Sequence, residues 1–474
     1  MGPGGTIIAV HPRSSAPAAT AGAVASYPFP RPRLTGFSPL IAVTTSDKRR
    51  SLFDDLLYEH ELESSFAGTP LNGPADLNFV VGILDSGADV DLAAGSAADI
   101  LGLFGSRLTS NVIPIVGVGD PVDTLVTYPV GVFAAGLSAV DQNGRLDLNS
   151  VVGHSNVAAL VAPPIDCGNG EAVTALMGMP FLAFYNSVIR VDTPRKITVD
   201  GEVFRSPDVR IQDPFDPLPD FPRSVSMAFG PQGAATTASF FPDFADLETP
   251  FFPTLLSLGS GALPTGGAFF AEIFVREGEP SPDNPAQQKR LLVDTGAQSS
   301  IISPGVAADL SLPRQPDFTV TICGIGGLVE GVPGYYVDYV KMNASGGALQ
   351  FSRAPFIVLD LPSPEGGSLD GILGMNFFWN RNVAFEPSLT GSSFFDVSDP
   401  IPVAFGDSDV DFQVDAADAS FFFACMTGPA STGVSPECDH LDADFDGSID
   451  LGDLAKLQNC FSGSAQSADP TCAD

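Results

Sequence analysis

The sequence predicts a mainly β protein made of two related lobes followed by a small helical module, and two observations predict it. Short apolar runs are cut every few positions by turn residues in a chain holding 49 Gly and 42 Pro, the texture of strands joined by tight loops. A stretch of about three hundred residues also repeats itself, and a repeat of that size implies one ancestral unit used twice.

Composition bounds the rest. At 474 residues and 44% apolar content the chain can bury a sizeable core. Its 22 Lys and Arg against 56 Asp and Glu leave a formal charge of -34, a field that repels phosphate backbones and anionic membrane surfaces, so nucleic acid is not an expected partner. No apolar run reaches the ~18 residues a membrane-spanning helix needs. Near the N-terminus, Arg13 precedes an Ala-rich stretch that Pro and Ser interrupt before a signal-like core can form. No clear signal peptide is visible, which leaves three alternatives: a signal already removed, a misplaced start, or export by another route.

Taken in order, residues 1–70 are Pro/Ala/Ser-rich with one helix-like patch at 52–62, and are expected to form a flexible leader or pro-segment. Residues 71–210 carry the first copy of the repeat, 211–266 an interlobe connection, 267–400 the second copy, and 401–474 a distinct module rich in Asp, Phe and Cys.

In the first copy an apolar run from Phe79 to Leu84 enters Asp85-Ser86-Gly87-Ala88, followed by a helix signal around Ala97 to Leu101. The second copy repeats this as Leu291 to Val293, Asp294-Thr295-Gly296-Ala297, and Ala307 to Leu310. Further on, Leu176-Met177-Gly178 is echoed by Leu373-Gly374-Met375, and Asn186 by Asn382. Each copy also holds a Gly-rich hairpin signal, with Gly117 and Gly119 in one and Gly324, Gly326 and Gly327 in the other.

A strand that ends in Asp, a small hydroxyl residue and Gly places a carboxylate at the tip of a tight turn, where Gly permits close backbone approach. One such loop is a turn; two, from matched lobes, can set carboxylates face to face. Like charges about 3 Å apart cannot both ionise easily, so the pair shares a proton and supplies acid and base together. Asp85 and Asp294 are therefore the candidate catalytic pair. Asp89 and Asp91 stand where the second copy has Gln298 and Ser300, and are expected to be solvated surface acids. The scattered His11, His60, His154 and His440 form no zinc-protease motif, and neither a Gly-x-Ser-x-Gly elbow nor a Gly-x-Gly-x-x-Gly fingerprint is present.

The second copy, with Val293 to Ala297, the Gly-Ile-Gly-Gly hairpin and Asp370 to Met375, resembles the bacterial retropepsin-like members of the pepsin/retropepsin group of aspartic peptidases from about Phe269 to Glu386. The first copy resembles the same pattern from about Leu77 to Val199, with Ser86 in place of Thr. The resemblance implies two β-barrel lobes related by an approximate two-fold axis, and hydrolysis of peptide or protein substrates by Asp85 and Asp294. It also implies that Ser86, Gly87, Thr295 and Gly296 support the active-site loops, and that the Gly-rich hairpins are flaps. In the first hairpin, Asp120-Pro121 departs from the Gly-Gly pattern. A catalytically inactive two-lobed scaffold that binds peptide or serves in surface assembly is the alternative, and a peptidase acting only on its own leader is a third reading.

In the last module Asp442, Asp444, Asp446, Asp450 and Asp453 occupy positions 1, 3, 5, 9 and 12 of a calcium loop, with Gly447 at the turn. Asp407, Asp409, Asp411, Asp415 and Asp418 repeat the pattern 35 residues earlier, but Phe412 replaces the turn Gly, so this loop is expected to be strained or a weaker site. Cys425 and Cys438 match Cys460 and Cys472 in the two repeats, and two short disulfides are the natural pairing among three connectivities. Cys167 and Cys323 lack repeat partners and are expected to be free thiols. The paired loops resemble dockerin modules, EF-hand-like calcium-dependent docking domains of secreted enzymes, which implies a cohesin-like or cell-surface partner. Bridges and calcium loops together imply a secreted, periplasmic or cell-surface protein, with calcium as the only cofactor and none for the peptidase chemistry.

Overall fold

The computed structural model describes residues 29–46, 79–128, 130–165, 167, 175–183, 185–199, 201–213, 216–230, 268–278, 281, 285–361, 369–387, 393–429, 434–444, 446–464 and 466–473. The patch at 52–62 and residues 231–266 of the expected connection lie outside them.

Two sheets carry the fold. The first has nine strands: β1 (Leu40–Ser46), β2 (Phe79–Leu84), β3 (Leu92–Ala94), β4 (Leu108–Ile115), β5 (Val122–Thr127), β6 (Val130–Gly136), β7 (Val152–Val157), β8 (Leu160–Ala162) and β9 (Ala175–Met177), in the order β4-β5-β8-β3-β9-β2-β1-β6-β7. The second has twelve: β10 (Asn186–Val199), β11 (Glu202–Gln212), β12 (Arg223–Gly230), β13 (Ala268–Arg276), β14 (Gln287–Val293), β15 (Ile301–Ile302), β16 (Phe318–Gly324), β17 (Gly327–Met342), β18 (Leu349–Val358), β19 (Gly371–Leu373), β20 (Val383–Glu386) and β21 (Ser393–Val397). Helices are short: α1 (Gly95–Ile100), α2 (Met179–Leu182), α3 (Pro304–Asp309), and in the last module α4 (Ala416–Cys425) and α5 (Leu451–Cys460). The mainly β expectation agrees with this arrangement.

One pairing pattern occurs in both sheets. β2 runs parallel to β9, with β3 antiparallel to β9 and parallel to β8. β14 likewise runs parallel to β19, with β15 antiparallel to β19 and parallel to β18. Strands covered on both faces read as continuous apolar runs, and β2 is buried along its whole length. Ile41, Leu84, Leu291, Val293, Met375 and Phe377 belong to one continuous core that joins the two sheets.

Three boundaries differ from expectation. The leader of 1–70 contains β1, buried throughout and hydrogen-bonded between β2 and β6, and a preceding strap. Along that strap Ser352 N donates to Pro30 O (3.0 Å), Ser299 Oγ to Leu34 O (2.6 Å) and Gly36 N to Gln298 O (2.7 Å). β10 and β11, placed in the first lobe by the 71–210 boundary, pair within the second sheet, where Ser187 lies opposite Phe385. β12, expected to be part of the 211–266 connection, is a strand between β13 and β21. Long-range partners fix a strand's sheet, and local patterning does not reveal them.

Cys167 and Cys323 are joined in a disulfide with Cα atoms 5.6 Å apart, which corrects the free-thiol expectation. Cys425 pairs with Cys438 and Cys460 with Cys472. Among the described residues no helix is long and apolar enough to cross a membrane.

The Cys167–Cys323 bridge spans 156 residues of sequence, and closing so long a loop contributes up to roughly 5 kcal/mol in the chain-entropy account. Replacing both cysteines by Ser is expected to lower the urea midpoint without changing the far-ultraviolet circular dichroism. An unchanged midpoint would show that the strands hold the two sheets together unaided.

Candidate active site

The two Asp loops follow from the strands that deliver them. β2 and β14 end beside β9 and β19, so Asp85 N donates to Met177 O (2.9 Å) and Asp294 N to Leu373 O (3.1 Å). Each chain then turns sharply, and its carboxylate accepts from its own loop. Asp85 Oδ1 accepts from Gly87 N (2.9 Å) and Ala88 N (3.1 Å), and Asp294 Oδ1 accepts from Ala297 N (2.9 Å).

Between the loops the hydroxyl residues exchange hydrogen bonds. Ser86 N donates to Thr295 Oγ1 (2.9 Å) and Thr295 N to Ser86 Oγ (3.0 Å). Each hydroxyl then donates beneath the opposite Asp, Ser86 Oγ to Val293 O (2.8 Å) and Thr295 Oγ1 to Leu84 O (2.6 Å). Both hydroxyls are buried, so losing one would leave partners unsatisfied at roughly 1–3 kcal/mol each.

This exchange brings the carboxylates together. Asp85 and Asp294 are 4% and 6% exposed, and their side chains are hydrogen-bonded to one another. A Cβ built on Gly296 would lie 2.6 Å from Asp85 Oδ2, and one on Gly87 would strike the Asp294 carboxylate. Each glycine leaves room for the other loop's acid. Burial raises both acids above the ordinary carboxylate range. For Asp294 the Asp85 charge pushes further in the same direction, whereas for Asp85 the bond from Asp294 pulls back. The pair is thus expected to hold one proton between its two carboxyl groups.

Asp91 departs from the expected solvated acid: it is 3% exposed, and its Oδ1 accepts from Gly178 N (2.8 Å). Asp89 is only half-buried, and burial pushes its pKa up as well. In the second copy of the repeat Ser300 fills the place of Asp91: its Oγ accepts from Gly374 N (2.9 Å) and donates to Asn376 Oδ1 (2.7 Å). These brackets behind the loops escaped the sequence reading. The repeat set Asp91 against Ser300, but nothing in the string tells a buried acceptor from a surface acid.

The two Gly-rich hairpins meet each other. β4 and β5 close with Ile115 opposite Val122, and β16 and β17 with Gly324 opposite Gly327. Gly119 pairs with Gly326, Gly326 N donates to Val118 O (2.9 Å), and Asp120 N donates to Gly326 O (3.2 Å). A Cβ on Gly117 would lie 2.7 Å from the Ile325 side chain. Ile325 packs on a cluster of the first sheet that includes Leu160 and Ile165, and Cys323 sits at the base of the same tip, bonded to Cys167.

In the C-terminal module only part of each expected ligand set converges. Asp407, Asp409 and Asp418 form one group and Asp442, Asp444 and Asp453 the other, their nearest oxygens within 4.8 Å of one another. Asp415 and Asp450 instead cap α4 and α5, with Asp418 and Asp453 completing capping boxes. Asp446 turns to Ser448, accepting from its N (2.9 Å) and Oγ (2.7 Å), and Asp411 lies toward Arg205 at 3.2 Å. Phe412 takes the left-handed φ of +65° where Gly447 has +85°, so the first loop keeps the turn at a conformational cost.

Residues 284–377 match the family described as aspartyl protease. The match covers the second Asp loop, its hairpin and the segment behind it, and supports an aspartic-peptidase reading. Among solved structures, the aspartic proteinase from Irpex lacteus shares 11% identity over 77% of this chain and 97% of its own, with a TM-score of 0.36. Among curated proteins none matches the chain.

Burial pushes Asp91 up to about 7, which has a consequence for stability. Below about pH 4 folded and unfolded chains both hold this proton; between about pH 4 and 7 only the folded chain does, so folding stability falls as pH rises. A shift of this size is worth roughly 4 kcal/mol. Asp91→Asn, which still offers an oxygen to Gly178 N, is expected to gain thermal stability relative to the wild type across that window. Parallel melting curves from pH 4 to 7.5 would show that Asp91 does not carry the shift.

Proposed function

We propose that the chain is an aspartic endopeptidase in which Asp85 and Asp294 activate a water molecule against a peptide bond. The observation that carries the reading is the mutual fit of the two loops, with each glycine clearing space for the opposite carboxylate. In this scheme the ionised member of the pair takes a proton from water as the water oxygen bonds to the scissile carbonyl carbon. The protonated member donates its proton to the carbonyl oxygen, giving a tetrahedral diol. The diol then collapses: the C–N bond breaks, one proton passes to the leaving nitrogen, and one returns to the pair. The Ser86 and Thr295 exchange holds the acids in register, and the paired hairpins cover an extended substrate.

The calcium expectation is part of the same proposal. The donors of the second loop suit a hard cation: Asp442, Asp444 and Asp453 bring carboxylate oxygens together. The backbone of that loop is already turned around Asp442, whose Oδ2 accepts from Gly447 N (3.0 Å). Bound calcium would offset the repulsion among these acids and order the loop ahead of α5. Docking to a cohesin-like or cell-surface partner rests on the likeness of the loops alone. A secreted, periplasmic or surface location is supported by three disulfides, the usual mark of an oxidising compartment.

Asp85→Asn or Asp294→Asn is expected to lower peptide cleavage at least a thousandfold with unchanged melting, because one carboxylate cannot serve as acid and base at once. Thr295→Ala should cost less activity and lower the melting temperature. A statine-type peptide should inhibit the wild type. Turnover within tenfold of wild type in either Asn variant would remove the pair from the chemistry, and a wild type that neither cleaves peptides nor binds statine would favour the inactive scaffold.

For the metal, calcium is expected to raise the melting temperature of the full chain without changing cleavage, as a ligand of the folded state does. Asp444→Asn should abolish that gain. A gain that persists in this variant would place the ion elsewhere.

A further inference from the structure

We propose that the first acidic loop of the C-terminal module is a docking site for arginines of the peptidase body rather than a second metal site. The two loops share their sequence pattern, yet their surroundings differ. Arg205, projecting from β11, pairs through Nη1 with Asp409 and with Asp411, the latter at 3.2 Å. Arg33, on the strap ahead of β1, donates from Nη1 to Ser408 O (3.1 Å) and from Nη2 to Asp407 O (3.0 Å). Its guanidinium lies 3.8 Å over the Trp379 ring. Next to these, Arg31 pairs with Asp439, which also accepts from Tyr336 Oη (3.3 Å). Among the described residues no Arg or Lys pairs with the carboxylates of the second loop, whose acids bond to their own backbone instead.

The chemistry of the two loops therefore diverges. A guanidinium is a planar cation with several fixed donors, suited to bridging neighbouring carboxylates and carbonyls. Arg205 already holds two of the five acids that a calcium loop would turn inward, and Arg33 holds the loop's backbone carbonyls from outside. A divalent ion coordinated by Asp409 and Asp411 would have to displace Arg205 from both. Exposed ion pairs alone hold little, and Arg205 is 42% exposed. The anchor is the combination with Arg33, a half-buried residue whose Nε is removed from water and whose guanidinium stacks on Trp379. The left-handed Phe412 fits this division: Asp407 Oδ2 accepts from Phe412 N (3.0 Å), so the loop keeps its shape from internal bonds and protein cations. The module is then a fixed part of the enzyme, mounted across the strap and β11. This inference is independent of the catalytic reading of Asp85 and Asp294.

Calcium titration and hydrogen-exchange mass spectrometry on the full chain test it. The wild type is expected to bind one calcium ion. In Arg205→Ala, a substitution at an exposed side chain, amide exchange over 407–414 should quicken severalfold while 446–453 keeps its wild-type rate. Asp409→Asn, which removes the partner without touching the peptidase body, should quicken the same amides. Two calcium ions bound with equal affinity by the wild type would overturn the proposal. So would wild-type exchange over 407–414 in both variants.

Discussion

The fold hangs on the crossed hydrogen bonds between Ser86 and Thr295. Each residue uses its own N–H and hydroxyl on the other strand, so four buried polar groups are satisfied only when both loops are present and aligned. Groups of this kind tolerate little displacement, because an unpaired buried donor or acceptor is expensive. The strands behind the loops, the glycines that let the acids approach and the brackets at Gly178 and Gly374 all serve that alignment. Two like charges would otherwise drive the loops apart. The proton shared by Asp85 and Asp294 is the electrostatic condition under which they stay together.

Charge shapes the molecule on a larger scale as well. With a formal charge of -34, each arginine is a scarce resource, and several gather where the strap, β11 and the C-terminal module meet. Arg31, Arg33 and Arg205 lie far apart from the module in sequence, yet all reach its first loop or its neighbour Asp439. A module that brings many acids to the surface of an already acidic body needs such contacts if it is to rest against that body at all.

Much of this was legible in the string. The duplicated strand-Asp-hydroxyl-Gly order located both loops, and the structure sets Asp85 beside Asp294. What could not be read has physical reasons. β1 looked like part of a leader because a Pro-rich start and a buried central strand differ only in their distant partners. β12 seemed a connection for the same cause. Cys167 and Cys323 had no repeat equivalents, so pairing arithmetic passed over a bond that joins one copy of the repeat to the other. Asp91 looked like a surface acid because its place is taken by a serine in the second lobe, and charge ordinarily marks exposure. The two acidic loops read as equivalents, and only the arrival of Arg205 from another part of the chain distinguishes them.

The clasped hairpins bear on how a client molecule enters. Gly119 and Gly326 pair with one another, and the Cys323–Cys167 bond keeps the base of one tip attached to the first copy of the repeat. Noncovalent contacts between glycines can part and reform, but the covalent tie stays shut. In the proposed peptidase, an opening with one end permanently closed would admit a polypeptide from the free side or end-on, as a thread enters the eye of a needle. A compact domain would be too bulky for such a passage, whereas a loose tail or an unfolded stretch would not. Selection would then turn on the slackness of the client as much as on its side chains.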